Sequence, residues 1–227
     1  MVTIDSALTS SAFTRLIHFT HAPSLFHIFR DGELRSNADL AENSPQQLSP
    51  TDDDRFDGRS DLISCSFEFP NLHYQAVAAG RSVNYPDWVA LALNRDLLRH
   101  PDVEFCPCNA SRARGRYLRG GGQGLLDCWA SPSIPLGLIR RPDHDPRLPT
   151  DLQAEAMIPS PVPLSSIGAV IVPSIAKARE LYGLLQRYDL EPGRTVWRAS
   201  RTMFDRGRLH DCIQRHRPVI EETWTPH

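Results

Sequence analysis

Two apolar runs of strand length constrain the fold of this chain most strongly. Residues 88–93 read WVALAL and residues 167–172 read IGAVIV. Runs this short fit strands, and the first fits a strand buried on both faces of a sheet. We predict further strands over 15–20, 62–69, 153–159 and 196–197, and helices over 23–30, 72–81, 175–188 and from 209 onward. No regular strand–helix–strand repeat appears, so we expect an α+β fold with a mixed or antiparallel sheet.

Composition indicates an ordinary globular protein. The 227 residues are 41% hydrophobic and 23% charged, without an apolar run of eighteen residues, so no membrane-spanning helix is expected. Residues 1–11 lack the basic and apolar parts of a secretory signal. The five cysteines have no regular spacing, which argues against a disulfide framework and favours the reducing cytoplasm. We expect a core over about 15–175 and a C-terminal extension over about 176–227.

Three stretches are interpreted as connections. Residues 37–58 are polar and contain two Ser-Pro steps, which predicts a long loop, and loops of that length are usually functional. Residues 114–124 are rich in Gly and Arg, and residues 119–122 within them are predicted to be mobile. Residues 134–150 are Pro-rich and predicted to be irregular.

Several enzyme classes are disfavoured because their motifs are missing. The chain has no GxxxxGKS or GxxxxGKT phosphate loop, no GxGxxG, no GxSxG and no HExxH. The tight pair Cys106–Cys108 has half the ligands of a zinc site, but no second pair completes it. We therefore expect no metal, and disfavour P-loop NTPases, Rossmann dehydrogenases, α/β-hydrolases and zincins.

Glu155 is the first candidate for chemistry. In a strand, Ala154, Ala156 and Ile158 share one face, so Glu155 points to the other. The small alanine side chains on both sides of Glu155 indicate a closely packed environment around this carboxylate. The alternative is an exposed strand glutamate without a role.

His18 and two loop arginines are further candidates. His18 lies in a predicted strand with Ile17 and Phe19 on the opposite face, and is either a ligand or a hydrogen-bonded core group. Arg55 and Arg59 end the long loop, and guanidinium groups grip phosphates or carboxylates with two parallel hydrogen bonds. The alternative is that both are ordinary surface arginines without a role in binding.

Arginines gather in two stretches, over 112–119 and over 194–208. If both lie on one face they form a track for phosphates. Otherwise they form a solvated charged surface.

The order of these features resembles the DarT family of ADP-ribosyltransferase toxins. An early histidine strand, an arginine at a loop end and a late QAE strand follow one another, and the resemblance covers about residues 15–175. Its individual pieces lie at residues 17–21, 55–58, 63–67, 69–71, 88–91, 109–110, 153–155 and 167–172. The family's aromatic-rich strand is replaced here by Ser64-Cys65-Ser66-Phe67, which leaves the target base open.

The resemblance implies an ADP-ribosyltransferase fold of two packed sheets, with NAD bound as co-substrate in a cleft between them. Glu155 is then the catalytic carboxylate, and Arg55 acts near the acceptor, with Arg59 as its substitute if the loop register is shifted. The cofactor-binding residues are expected to be His18, Thr20, Ser64 and Arg59.

The acceptor that the resemblance implies is a base in single-stranded DNA, and the implied role is the toxin of a toxin–antitoxin system. The DNA-binding residues are expected to be Arg114, Arg116 and Arg119, with Tyr117 or Trp129 stacking on bases. The implied partner is a macrodomain ADP-ribosylglycohydrolase antitoxin.

Three other functions stay open. The first is the same fold acting on RNA, on a tRNA 2′-phosphate or on protein. The second is a metal-dependent nuclease that uses Asp61 and Glu155. The third is a nucleic-acid-binding module without catalysis.

Overall fold

The computed structural model describes residues 2–48, 56–71, 73–74, 76, 87–112, 114–130, 139–192 and 195–226. Its helices are α1 (Ile4–Ser10), α2 (Ser24–Asp31), α3 (Asn37–Asn43), α4 (Gly121–Asp127), α5 (Ile175–Arg187) and α6 (Arg206–Gln214). Its strands are β1 (Arg15–His21), β2 (Glu33–Leu34), β3 (Leu62–Phe67), β4 (Trp88–Asn94), β5 (Glu104–Cys106), β6 (Arg119–Gly120), β7 (Glu155–Pro159), β8 (Val162–Pro163), β9 (Ile167–Val172), β10 (Val196–Ala199) and β11 (Glu222–Trp224). Short 3-10 helices lie at Pro45–Gln47, Arg95–Arg99, Leu164–Ser166 and Thr202–Phe204.

Most strands join one mixed sheet in the order β11-β10-β9-β4-β1-β3-β7-β5-β6. Its neighbours are antiparallel except for the parallel pair β9–β10. The short strands β2 and β8 pair separately. The predicted α+β class with a mixed sheet is therefore confirmed, and residues 88–93 of β4 are all buried as expected.

The large sheet is divided between β1 and β3. β1 pairs with β4 along seven residues, but with β3 only at Leu16–Phe67 and Ile17–Ser66. Beyond Ile17 the two strands separate, and each continues with its own half of the sheet. A cleft lies at this separation, between the halves β11-β10-β9-β4-β1 and β3-β7-β5-β6.

Alternation along β4 gives the two faces of the sheet different cores. Val89, Leu91 and Leu93 face the larger core, which α2, α4 and α5 cover. Ala90 and Ala92 face a second core that includes Leu209 of α6. Small alanine side chains on this second face leave room for the C-terminal segment to pack against the sheet.

The helix predicted over 23–30 is confirmed as α2. Leu25, Ile28 and Phe29 are buried on one side of it. Gly32 ends the helix with φ 75, and its N–H donates to the Ile28 carbonyl oxygen at 3.0 Å. A left-handed residue at this position favours glycine because it has no Cβ.

The prediction of one long loop over 37–58 is wrong for its first part, which forms α3 and a 3-10 turn. The Ser36 hydroxyl caps α3 by accepting a hydrogen bond from the Asp39 N–H at 3.2 Å, and Leu40 is buried. Polar composition concealed a capped helix that buries a single apolar side chain. Residues 49–55 of the stretch lie outside the described part of the chain.

The prediction that residues 119–122 are mobile is also wrong, because they form β6 and the start of α4. A Cβ at Gly122 would collide with the backbone of Thr3, and one at Gly124 with the backbone of Arg119. These glycines allow backbones to approach closely. The sequence did not distinguish the two cases because glycine is common both in flexible segments and where two backbones pack closely together.

The C-terminal extension contributes to both the sheet and its cores. α5 buries Ala178, Leu181, Tyr182 and Leu185 in the larger core. β10 extends the sheet beside β9, and β11, which was not predicted, pairs with β10. The Trp224 ring of β11 meets the Tyr182 ring edge-on at 5.3 Å.

Two further predictions fall partly on residues outside the description. Of the helix predicted over 72–81, His73, Tyr74 and Ala76 are helical and the rest is outside. Of the irregular stretch over 134–150, residues 139–150 contain neither helix nor strand, and 134–138 are outside. None of the helices described here has the length and apolar character needed to cross a membrane.

Glu221 fixes the C-terminal strand to the sheet. Its carboxylate accepts hydrogen bonds from Arg15 at 2.8 Å and from Arg198 at 3.2 Å. Burial alone would raise the pKa of Glu221, but the two guanidinium groups outweigh it and hold the pKa below its ordinary value of 4.5. The charged carboxylate therefore stabilises the fold at neutral pH.

We predict that Glu221→Gln lowers the free energy of unfolding by about 1–3 kcal/mol at neutral pH. Because the folded-state pKa is depressed, this contribution is complete above about pH 4.5 and is lost as the pH falls through the folded-state value. Urea unfolding of both proteins across this pH range measures the difference. Glu222→Gln, on the exposed neighbouring residue, is the control. A difference that does not change with pH would contradict the ion-pair explanation.

Candidate functional site

The cleft between the sheet halves encloses about 1030 Å³, including space open to solvent. Its walls come from β1, β3 and β7, from α2 and α3, and from the turn after β5. The side chains discussed below that line it are His18, Thr20, His27, Arg35, Asp57, Ser64, Ser66, Asn71, Tyr74, Asn109, Ser111 and Glu155.

Glu155 is the first residue of β7 and is held in place by two hydrogen bonds. One carboxylate oxygen accepts from the Ala110 backbone N–H at 2.8 Å, and the other from the Asn109 amide at 3.3 Å. The side chain is 8% exposed, so the interpretation as an exposed strand glutamate is wrong. The predicted alternation is confirmed, because Ala156 and Ile158 face the larger core.

The turn that holds Glu155 is itself fixed. The Asn109 side-chain oxygen accepts from the Ser111 N–H at 3.1 Å, which leaves the Asn109 amide nitrogen to donate to Glu155. Ala110 packs with Cys108 and Met157 in a small buried cluster. Sequence reasoning included Asn109 in the resemblance but gave it no role, because no local pattern shows which strand a turn residue reaches.

The buried cysteines border the site without forming a metal site. Burial raises the pKa of the Cys65 thiol, and the nearby Glu155 carboxylate raises it further. The Cys106 and Cys108 sulfurs lie 3.8 Å apart. Within the described ranges, no three His, Cys, Asp or Glu side chains are grouped as metal ligands would be. Asp61, the acid of the nuclease alternative, pairs with Arg59.

The structure brings His18, Thr20 and Ser64 into the same cleft as Glu155. His18 lies where β1 and β3 separate, with its Nδ1 atom 2.9 Å from the Ser64 carbonyl oxygen. The Thr20 hydroxyl donates to the Ser24 hydroxyl at 3.1 Å. The His18 imidazole and the Thr20 and Ser64 hydroxyl groups therefore line the cleft near the point where β1 and β3 separate.

Sequence reasoning missed His27 and Arg35, which also line the cleft. Burial lowers the pKa of His27 to about 4, so its ring is neutral at neutral pH. Its Nδ1 atom is buried without a hydrogen-bond partner among the described residues. Arg35 pairs with Asp31 and donates to Gln47 at 3.2 Å. His27 had a weak signal, as a polar residue within the helix predicted over 23–30, whereas Arg35 had none.

The two predicted loop arginines, Arg55 and Arg59, differ in what the structure describes. Arg55 lies outside the described residues. Arg59 is described, but its guanidinium pairs with Glu104 and Asp61 beside the strands β3 and β5. These pairs give no support to the predicted contact of Arg59 with the cofactor, which stays a prediction.

The Arg114 and Arg116 side chains are exposed and flank a tight turn. Gly115, with φ 75, approaches the backbone oxygen of Asp57, so this turn lies beside a residue that lines the cleft. Arg119 is different, because it lies in β6 at the sheet edge and pairs with Asp127 at 3.0 Å.

The two rings predicted to stack on bases both have contacts within the protein. Tyr117 packs against the buried cluster that contains Met157. Trp129 stacks on Phe13 at 5.3 Å, and its indole nitrogen donates to the Pro146 carbonyl oxygen at 3.1 Å. In the second arginine stretch, Arg198 pairs with Glu221 and Arg208 with Asp205.

Comparison with solved structures identifies the fold. Thermus sp. 2.9 DarT in complex with ADP-ribosylated ssDNA superposes with a TM-score of 0.59 at 16% identity, over 85% of this chain and 96% of that one. The same Thermus protein in complex with NAD+ gives 0.52 at 16% identity, over 78% and 90%. Thermosipho africanus DarTG in complex with ADP-ribose gives 0.56 at 15% identity, over 85% of this chain and 51% of that one. The curated proteins contain no match to the chain.

Comparison with family models identifies the family. The model described as "DarT: ssDNA thymidine ADP-ribosyltransferase, DarT" matches residues 17–204. That span includes the whole cleft described above, from β1 to β7. This chain therefore belongs to the DarT family of single-stranded-DNA thymidine ADP-ribosyltransferases.

Proposed function

We propose that this chain transfers ADP-ribose from NAD to a thymine base of single-stranded DNA, with Glu155 as the catalytic carboxylate. Its family membership supports the reaction. The observation that carries the assignment of Glu155 is its position, because it is buried, held by two donors, and lines the cleft between the sheet halves. A carboxylate with that orientation needs little rearrangement to act on a bound ribose.

The chemistry explains why a fixed carboxylate is needed. The bond between the nicotinamide nitrogen and ribose C1′ breaks, and nicotinamide leaves with the bonding electron pair. Positive charge then develops on the ribose, as in glycoside cleavage, and the Glu155 carboxylate stabilises it. The base attacks C1′ and loses a proton, so the products are nicotinamide, ADP-ribosylated DNA and a proton.

His18, Thr20 and Ser64 are proposed to hold NAD. Their imidazole and hydroxyl groups line the cleft with Glu155 and suit ribose hydroxyls and the nicotinamide amide. His27 adds a neutral ring with an unpartnered nitrogen on the same cleft. A buried polar atom of this kind costs free energy until a ligand or water satisfies it, which supports a role in binding.

The acceptor side is proposed to include the turn of Arg114 and Arg116. Both side chains are exposed, and their turn contacts the backbone of Asp57 beside the cleft. Arginines there can bind the phosphates of a single strand, whose unstacked bases are reachable without opening a duplex. Arg55 stays a predicted contact of the acceptor.

A macrodomain ADP-ribosylglycohydrolase is the proposed partner. A toxin that modifies its own host's DNA needs an activity that removes the modification, and both would work in the cytoplasm. The Thermosipho africanus protein named DarTG is in complex with ADP-ribose, and about half of its chain lies outside the matched part. That extra length supports an associated second activity in relatives of this chain.

We predict that Glu155→Gln lowers the rate of ADP-ribosyl transfer by about 100- to 1,000-fold, because the transition state loses its counter-charge. The measurement incubates the protein with NAD and a single-stranded oligonucleotide that contains one thymidine, and follows the gain of one ADP-ribose unit by mass spectrometry. Glu191→Gln, on an exposed residue away from the cleft, is the matched control.

Three outcomes of that experiment would contradict the proposal. Equal rates for Glu155→Gln and the wild type would remove the role of Glu155. Modification of RNA or protein but not of DNA would replace the acceptor. If NAD stays intact with DNA, RNA and protein acceptors while the folded protein still binds DNA, the chain is a nucleic-acid-binding module without catalysis.

We predict that Asn109→Ala lowers kcat by about tenfold to a hundredfold and leaves NAD affinity nearly unchanged. Loss of one hydrogen bond to a charged group removes roughly 1.5–3 kcal/mol of orientation from Glu155, while the Ala110 N–H still holds it. Steady-state kinetics and calorimetric titration with NAD separate the two effects. A large rise in the Kd for NAD with an unchanged kcat would show that Asn109 binds the cofactor instead of positioning Glu155.

A further inference from the structure

A second groove lies next to the cleft, on the opposite side of Asn71. It encloses about 890 Å³, including open space, and Asn71 lines both it and the NAD cleft. Its walls are the segment that follows β3, the segment that precedes β7, and α6. We call it the α6 groove. Its lining includes Phe69, Pro70, Leu148, Leu152, Leu209 and Ile213.

The floor of the α6 groove is apolar and firmly packed. Phe69, Leu148 and Leu209 belong to the second core of the sheet, and Leu152 and Ile213 pack against it while partly exposed. The faces of a nucleobase are apolar and flat, so a base can cover such a floor in a single-stranded nucleic acid.

The rim of the groove carries positive or protonatable groups. Arg206, His73 and His210 line it and are all exposed. Burial lowers the pKa of His73, the charge of Arg206 lowers it further, Asp151 opposes this, and His210 adds to the lowering. Asp151 is the acid near these groups, and its carboxylate also accepts a hydrogen bond from the Gln153 N–H at 2.9 Å.

Arg206 has no evident structural reason for its position. It is the first residue of α6, where the helix dipole disfavours a cation. Among the described residues Arg206 forms no salt bridge. By contrast, Arg208 in the first turn of α6 pairs with Asp205, and Arg215 just after the end of the helix pairs with Asp211. A cation kept at an unfavourable place beside an apolar groove fits the binding of an anion.

We propose that the α6 groove binds a nucleotide of single-stranded DNA that neighbours the acceptor thymidine. The base lies on the apolar floor and its phosphate is bound by Arg206. Asn71 joins the groove to the NAD cleft, so a strand with its acceptor base in the cleft can place the next nucleotide in the groove. This inference rests on the proposed function and adds a subsite to it.

The position of α6 gives the subsite a consequence for specificity. The family match ends at residue 204, and α6 begins at Arg206. The groove is therefore completed by a segment outside the part shared with the family model. The proposal therefore makes this C-terminal segment one determinant of preference for the base next to the acceptor thymidine.

The test compares Arg206→Ala with Arg215→Ala. Each change removes one positive charge from the same helix, but Arg215 does not line the groove. Fluorescence anisotropy gives the Kd of the full chain for a labelled single-stranded oligonucleotide over a range of salt concentrations, and titration with NAD reports the cleft. We expect Arg206→Ala to weaken DNA binding roughly five- to tenfold and to reduce the salt slope by about 0.7. The affinity for NAD should stay unchanged in both variants. The affinity for DNA should also stay unchanged in Arg215→Ala.

Photocrosslinking tests the floor of the groove independently. The oligonucleotide carries one acceptor thymidine, with 5-iododeoxyuridine on its 5′ or its 3′ side. Crosslinks within residues 67–73 or 206–213 support the proposal. Crosslinks confined to other parts of the chain would overturn it.

The outcomes separate this proposal from the proposed function. If the wild type modifies DNA, and Arg206→Ala binds and modifies it equally well, the α6 groove is not a DNA subsite but the transferase function stands. Equal weakening by both variants would also overturn the subsite, since the effect would then be one of net charge. If the wild type neither binds nor modifies single-stranded DNA, the proposed function itself fails.

Discussion

The separation of β1 from β3 beyond Ile17 is the constraint on which the site depends. Two residue pairs join the halves of the sheet, and the strands then diverge into a cleft. Fully paired strands would close this space with backbone hydrogen bonds. Because they separate, His18 meets Ser64 across the opening, and the Glu155 side chain at the start of β7 lines the resulting cavity. The buried cores on both faces hold the halves in this arrangement.

Sequence patterns predicted the elements that depend on local periodicity. The buried strand β4, the helix α2 with its Gly32 cap, and the side of β7 that carries Glu155 all follow from alternation or spacing along the chain. Patterns failed where composition is ambiguous. The polar stretch containing α3 and the glycines of α4 resembled loops, because a single capping hydroxyl or a close backbone contact is invisible in composition.

The parts of the site that sequence did not predict depend on contacts between distant residues. Asn109 holds Glu155 across 46 positions, and Arg59 is drawn to Glu104 across 45. Neither partner can be chosen without knowing that β5 lies beside β7. The C-terminal segment shows the same limit, since β11 and α6 complete the sheet edge and the α6 groove far from the residues they contact.

A structure of the chain bound to a non-hydrolysable carba analogue of NAD would show directly whether Glu155 acts on the nicotinamide ribose. We predict that this ribose lies where β1 and β3 separate, with a ribose hydroxyl within hydrogen-bonding distance of the Glu155 carboxylate, about 2.6–3.2 Å. The Asn109 and Ala110 hydrogen bonds to Glu155 should persist in that complex. An analogue bound elsewhere, or bound in the cleft with Glu155 turned away from the ribose, would contradict this prediction.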